Sequence, residues 1–219
     1  MIKGVISDMD GVMLDTEKLY VRFWCEAARF YGHPMKKEHA LGIRSLARQF
    51  AIEKLTGWFG EDFDYDAVRD KRVELMDEYI ATHGVEAKPG ADELLSRLKK
   101  DGYSVALATA TAVDLAEKYL RQVGLFGYFD VIVSGRQVAK GKPEPDIYLL
   151  AAEKLGLRPS ECIALEDSQN GVRSASAAGC KTVLVPDLDN PVDELKPLLY
   201  GTANGLSDVY RFLESDSGR

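Results

Sequence analysis

Five short apolar runs punctuate the chain: KGVIS (Lys3–Ser7), YSVALAT (Tyr103–Thr109), DVIVS (Asp130–Ser134), CIALE (Cys162–Glu166) and KTVLV (Lys181–Val185). None alternates cleanly between polar and apolar positions, which is the pattern of strands covered on both faces. Helical periodicity fills the gaps. ADELLSRLKKDG keeps Leu94, Leu95 and Leu98 apolar and stops at Gly102; AVDLAEKYLRQVG stops at Gly124; EPDIYLLAAEKLG follows Pro143 and ends at Gly156. NGVRSASAAGC is rich in small residues, which lets a helix lie close to a sheet. Strands alternating with helices predict an α/β fold, a parallel sheet with helices on both faces.

Between the first two strand patterns the period changes. From about Glu17 to Ala87 there are only helical patterns, in EKLYVRFWCEAARFYG, SLARQFAIEKLTG and DAVRDKRVELMDEYIATHG. A crossover between parallel strands needs only a dozen or so residues, so this stretch predicts an inserted all-helical domain. Its hinges are expected at Leu14–Thr16 and Glu86–Gly90, the second marked by KPG. Residues 1–14 and 89–219 then form the core and residues 15–88 the insertion. Phe23, Trp24 and Tyr31 read as helix-core residues, Lys18 as part of a solvated helix face, and the tail ESDSGR is expected to fray.

Composition narrows the class. Hydrophobic residues make up 46% and charged residues 29% of the 219 positions, ordinary values for a soluble globular chain. A net charge of -7 argues against nucleic-acid and anionic-membrane partners. Cys25, Cys162 and Cys180 are odd in number and far apart, which excludes a disulfide framework and a structural zinc motif. The N-terminus enters a strand pattern at once, and no apolar run approaches the roughly 20 residues that span a bilayer. The expectation is a cytoplasmic protein, monomeric because no coiled-coil repeat appears.

The candidate chemistry lies at strand ends. VISDMDGVMLDTE sets Asp8 and Asp10 two apart behind the first strand, where period-2 geometry turns both carboxylates toward one site. Gly11 permits the sharp turn or close backbone approach that a ligand there requires. Thr109 and Thr111 close the second strand, Lys142 follows the third, and Glu166-Asp167-Ser168 close the fourth. In open parallel sheets, sites lie beyond the carboxyl ends of the strands. Taken singly these residues also suit helix caps, turns and solvent; together they converge on one edge.

These residues resemble the haloacid dehalogenase-like hydrolase superfamily. Its first phosphotransferase motif, Asp-x-Asp-Gly, matches Asp8-Met9-Asp10-Gly11; the second matches Thr109; the third matches Lys142 with GKPEPD around it; the fourth matches EDS followed by NG. DMDGVMLDTE and the helical insertion are similar to the β-phosphoglucomutase-like branch. The resemblance implies a Rossmann-like core with a helical cap. It also implies roles: Asp8 as nucleophile, Asp10 as general acid and base, and Thr109, Ala110 and Lys142 as holders of the phosphoryl oxygens. Mg²⁺ would be bound by Asp8, the Asp10 carbonyl and Asp167, with Glu166 in the outer shell. Four carboxylates at one edge carry a charge of about -4, which Mg²⁺ and Lys142 reduce to about -1. Asp15 is expected to cap the first inserted helix, sharing that role with Thr16, with Glu17 in its first turn.

Three functions compete. The first is a phosphatase acting on a small phosphorylated metabolite such as a sugar phosphate, and the second a phosphosugar mutase. The third is a phospho-accepting signalling domain, set aside because such domains are about half this length and accept phosphate mid-chain. Against the mutase, Tyr20 stands where β-phosphoglucomutases carry a His, and Ala112 where they carry a Lys. A haloacid dehalogenase does not need Asp10; a phosphonatase would need an insertion lysine such as Lys18. In LGIRSLARQF, Gly42 and Arg44 open a helical pattern, and Arg44 is suited to grip a phosphate or a sugar hydroxyl, the alternative being a surface ion pair.

Overall fold

In the computed structural model, residues 1–188 and 192–217 are described. Six parallel strands form one sheet in the order β3-β2-β1-β4-β5-β6, where β1 is Gly4–Ser7, β2 Ser104–Thr109, β3 Val131–Ser134, β4 Cys162–Glu166, β5 Lys181–Leu184 and β6 Gly201–Thr202. Central β1 pairs with β2 (Ser7 beside Leu107) and with β4 (Ser7 beside Leu165), so three of the motif-bearing strands are neighbours. Side chains of β1 leave alternately for two separate cores. Val5 joins one with Leu94, Leu95 and Leu98 of α5 (Ala91–Lys100) and Leu120 of α6 (Val113–Gln122). Ile6 joins another with Ile147, Tyr148 and Ala151 of α7 (Asp146–Lys154) and Ala175 of α8 (Gln169–Ala177). Burial on both faces is why these strands read as unbroken apolar runs.

The chain between β1 and β2 forms α1 (Glu17–Phe30), α2 (Lys37–Gly42), α3 (Arg48–Phe59) and α4 (Tyr65–His83), besides α5. These helices enclose their own buried cluster, including Cys25, Ala28, Met35, Ile43, Leu55 and Val68. Each fully buried aliphatic side chain contributes about 1.5–3 kcal/mol. The chain leaves and re-enters the core along one short ladder: Asp15 N donates to Glu86 O and Lys88 N to Met13 O, each at 2.9 Å. Leu14 and Ala87 form an antiparallel bridge between the two crossings.

Four local expectations change. Helix α1 takes Thr16, not Asp15, as its N-cap residue, and no side chain caps it. Asp15 instead pairs with Lys18 and, at 3.7 Å, with Lys88. Gly42 ends α2, so Arg44 sits in the turn before α3 and opens no helix. Of the three aromatics expected in helix cores, Phe23 is buried, Trp24 lines a cavity and Tyr31 is exposed. Helix α9 (Tyr210–Ser217) keeps the polar tail helical as far as Ser217, and residues 218–219 lie outside the described ones. Among the described residues no helix is long and apolar enough to cross a membrane.

Candidate active site

Asp8 continues β1, its N–H donating to Leu165 O at 2.9 Å. The chain then curls back, with the N–H groups of Met13 and Leu14 both donating to Met9 O. Gly11 makes this possible with φ of +83°; a Cβ there would lie 2.1 Å from Asp167 Oδ2. The turn therefore presses the β1 loop against the end of β4.

Lys142 is buried and spends its three protons on Asp8 Oδ1 (2.8 Å), Glu166 Oε1 (2.6 Å) and Ala108 O (3.1 Å). Glu166 is fully committed. Its Oε1 also accepts from Tyr148 Oη at 2.6 Å, its Oε2 accepts from Ser168 Oγ at 3.2 Å, and a Cβ on Gly171 would strike its carboxylate at 2.0 Å. Asp167 differs, because neither of its buried carboxylate oxygens accepts a hydrogen bond. Asp8, Glu166 and Asp167 each offer an oxygen within 4.8 Å of the others. Buried Asp8 and Asp167, the latter lacking hydrogen bonds on its carboxylate, fit a hard divalent cation, with Glu166 held beside them by its three donors.

Asp10 stands apart from that trio. Its Oδ1 accepts from Thr16 Oγ1 at 2.5 Å and its Oδ2 from Thr111 Oγ1 at 3.0 Å. The buried Thr109 accepts from Thr111 N at 3.0 Å, which fixes the turn after β2. Arg44 reaches the same end of the sheet from the α2–α3 turn. Its Nη1 lies 3.3 Å from Asp167 Oδ2 and its Nη2 donates to Asp167 O at 3.0 Å, while Asn170 Nδ2 donates to Arg44 O at 2.8 Å. With a side chain 2% exposed, Arg44 is no surface ion pair. A cavity of about 360 Å³ opens above, its wall including Asp8, Asp10, Ala110, Arg44 and Glu17.

Burial dominates the electrostatics. It pushes Asp8 up to about 7 against the pull of Lys142, and raises Asp10 against the hydrogen bonds of Thr16 and Thr111. Asp167 and Glu17 are raised strongly, first by burial; Arg44 opposes the shift on both, and on Glu17 the Asp167 carboxylate adds to it. Burial pulls Lys142 down, but the Asp8 and Glu166 carboxylates outweigh it and hold the ammonium charged. Sequence reasoning placed Glu17 in a helix first turn; the structure buries it in the cavity wall. Tyr148, the donor to Glu166, is not marked by the sequence either. Its signal is a single tyrosine hydroxyl in the first turn of α7, which pattern alone cannot tell from core.

A parallel sheet that brings an Asp-x-Asp turn, a lysine and a carboxylate trio to one end defines a phosphotransferase-type hydrolase core. The family model of haloacid dehalogenase-like hydrolases matches residues 2–179, and the chain belongs to that family. It is 32% identical over 214 residues to the phosphorylated carbohydrates phosphatase of Thermotoga maritima, covering 98% of this chain and 91% of that protein. It is 36% identical over 184 residues to hexitol phosphatase A of Escherichia coli, covering 84% and 82%. The crystal structure of CbbY from Rhodobacter sphaeroides in complex with phosphate superposes with a TM-score of 0.77 at 25% identity, covering 95% of this chain and 96% of that one.

Proposed function

We propose that the chain is a Mg²⁺-dependent phosphatase that hydrolyses a small phosphorylated carbohydrate through a phospho-aspartate on Asp8. The observation that carries this reading is the contrast between the two aspartates. Asp8 is held by a charged lysine, Asp10 by two hydroxyls, and two carboxylates in different environments take different roles. An Asp8 oxygen attacks phosphorus and the ester P–O bond breaks, while Asp10 gives its proton to the departing alkoxide. Asp10 then takes a proton from water as that water attacks the phospho-aspartate. The acyl phosphate P–O bond breaks, returning the Asp8 carboxylate and releasing inorganic phosphate.

Lys142, Thr109 and the backbone at Ala110 would hold the phosphoryl oxygens. Asp8, the Asp10 carbonyl and Asp167 would hold Mg²⁺, which offsets charge on the phosphoryl group when bound. Glu166 fixes Lys142 from outside that set. Residues 15–88 would act as a cap that closes the cavity and excludes water. Arg44 would choose among substrates from the cap side. Two named relatives are carbohydrate or hexitol phosphatases, which supports a polyol or sugar phosphate as substrate. Tyr20 and Ala112 weigh against a mutase. The partner is a small phosphomonoester, with no nucleic acid and no membrane. The chain is read as a monomer in a reducing cytoplasm, where its three buried cysteines would stay as thiols.

Phosphate release from a panel of phosphorylated sugars, polyols and nucleotides, with Mg²⁺ and with chelator, tests the reading. Turnover is expected with Mg²⁺ only, and Asp8→Asn is expected to abolish it while the melting transition persists. Activity in metal-free buffer, or a tenth of wild-type activity in Asp8→Asn, would overturn it.

A further inference from the structure

Thr111 and Tyr20 have no place in the chemistry described above, yet they are joined to it. Thr111 Oγ1 donates to Asp10 Oδ2 at 3.0 Å, and Tyr20 Oη lies 3.2 Å from Thr111 Oγ1. A hydroxyl has one proton. When the Thr111 proton is spent on the Asp10 carboxylate, its oxygen is left as acceptor, and Tyr20 is the donor. The chain of bonds then runs one way, from Tyr20 to Thr111 to Asp10. Thr16 grips the other Asp10 oxygen at 2.5 Å, so both are held and the carboxylate plane cannot rotate freely.

The two ends of this chain of bonds belong to different parts of the fold. Thr111 follows β2 of the sheet, whereas Tyr20 lies in the second turn of α1, 91 residues earlier. Tyr20 is itself fixed within the helical insertion. The Arg72 guanidinium of α4 lies 4.9 Å from its ring centroid, and 5.5 Å from that of Trp24. The Tyr20 hydroxyl thus meets Thr111 only while α1 is seated on the sheet edge.

We propose that Tyr20 and Thr111 are positioning residues, forming a hydroxyl relay from the insertion to the core that aims Asp10 for its proton transfers. The proposal rests on Asp10 acting as acid and base, and the test separates the two. Before any variant is made, the wild type is assayed on p-nitrophenyl phosphate and on glycerol phosphate. Turnover of neither of these, nor of any ester in the metabolite panel, would fail the phosphatase reading itself.

The leaving groups then discriminate. An aryl oxide departs without a proton, whereas an alkoxide needs one, so kcat/KM on the alkyl ester reports how well Asp10 is aimed. Thr111→Val keeps the shape and deletes the hydroxyl. It is expected to lower kcat/KM for glycerol phosphate roughly tenfold more than for p-nitrophenyl phosphate, the scale of one hydrogen bond to a charged group. Thr111→Ser is expected to restore the ratio. Tyr20→Phe removes one oxygen, leaves the ring under Arg72, and is expected to change the ratio in the same direction by about a third of that amount on a logarithmic scale, as a neutral bond one step removed. Equal losses on both esters, an unchanged ratio in Tyr20→Phe, or failure of serine to rescue would each overturn the relay. If Thr111→Val does not fold, Tyr20→Phe and Thr111→Ser carry the comparison alone.

Discussion

A single lysine holds two buried carboxylates side by side. Lys142 is the cation that contacts both Asp8 and Glu166, so Lys142→Ala leaves two carboxylates buried together. Removing one partner of such a group costs about 3–5 kcal/mol. The melting temperature is therefore expected to fall by roughly 6–20 °C at about 2–4 °C per kcal/mol, with Mg²⁺ recovering part of the loss; calorimetry with and without the ion checks this. Arg44 gives a second prediction. If it grips the substrate beyond the scissile bond, Arg44→Ala should cost roughly ten- to a hundredfold in kcat/KM on the best metabolite and much less on p-nitrophenyl phosphate. Equal losses would confine Arg44 to its contact with Asp167. The strand-end positions of Asp8, Asp10, Thr109, Lys142 and Asp167 were legible because period 2 and parallel-sheet topology carry such residues to one edge. Glu17 was not legible, because its burial depends on how α1 meets the loop after β1, which nothing local encodes.

At the scale of elements, long patterns were legible and short ones were not. The 14 residues of α1 repeat their apolar positions clearly enough to be seen, and the 19 of α4 are visible by length. The six residues of α2 do not, and the two of β6 carry no apolar run. Strand β6 exists because Gly201 and Thr202 pair with Val183 and Leu184. The turn between α2 and α3 is set from outside as well, Ala47 N donating to Lys142 O at 2.9 Å. Helix α4 offers a clean test of local encoding. Asp64 is its N-cap and accepts from Ala67 N at 3.0 Å. Asp64→Ala should cost about 1 kcal/mol, a fall of about 2–4 °C in melting temperature for a chain of this size. Turnover of p-nitrophenyl phosphate should not change.

For the whole molecule, the raised carboxylates make stability depend on pH. Asp8 moves from 3.8 to about 7 on folding, so between those values the folded state holds a proton that the unfolded state has lost. Stability from this source is present below the unfolded value and declines as pH rises through the window. The metal-free protein is expected to melt at a lower temperature at about pH 8 than at about pH 5, and Mg²⁺ to raise the melting point mainly at the higher pH. Asp8→Asn should flatten the slope; an unchanged slope would assign it to other groups. The crossings at Leu14 and Ala87 lie side by side on one short ladder. A segment whose two ends are neighbours can be shortened, lengthened or replaced by an unrelated one without moving a strand. The arrangement is modular in the genetic sense: on the function proposed above, a lineage could exchange the part that would meet the substrate and inherit the part that would break the bond.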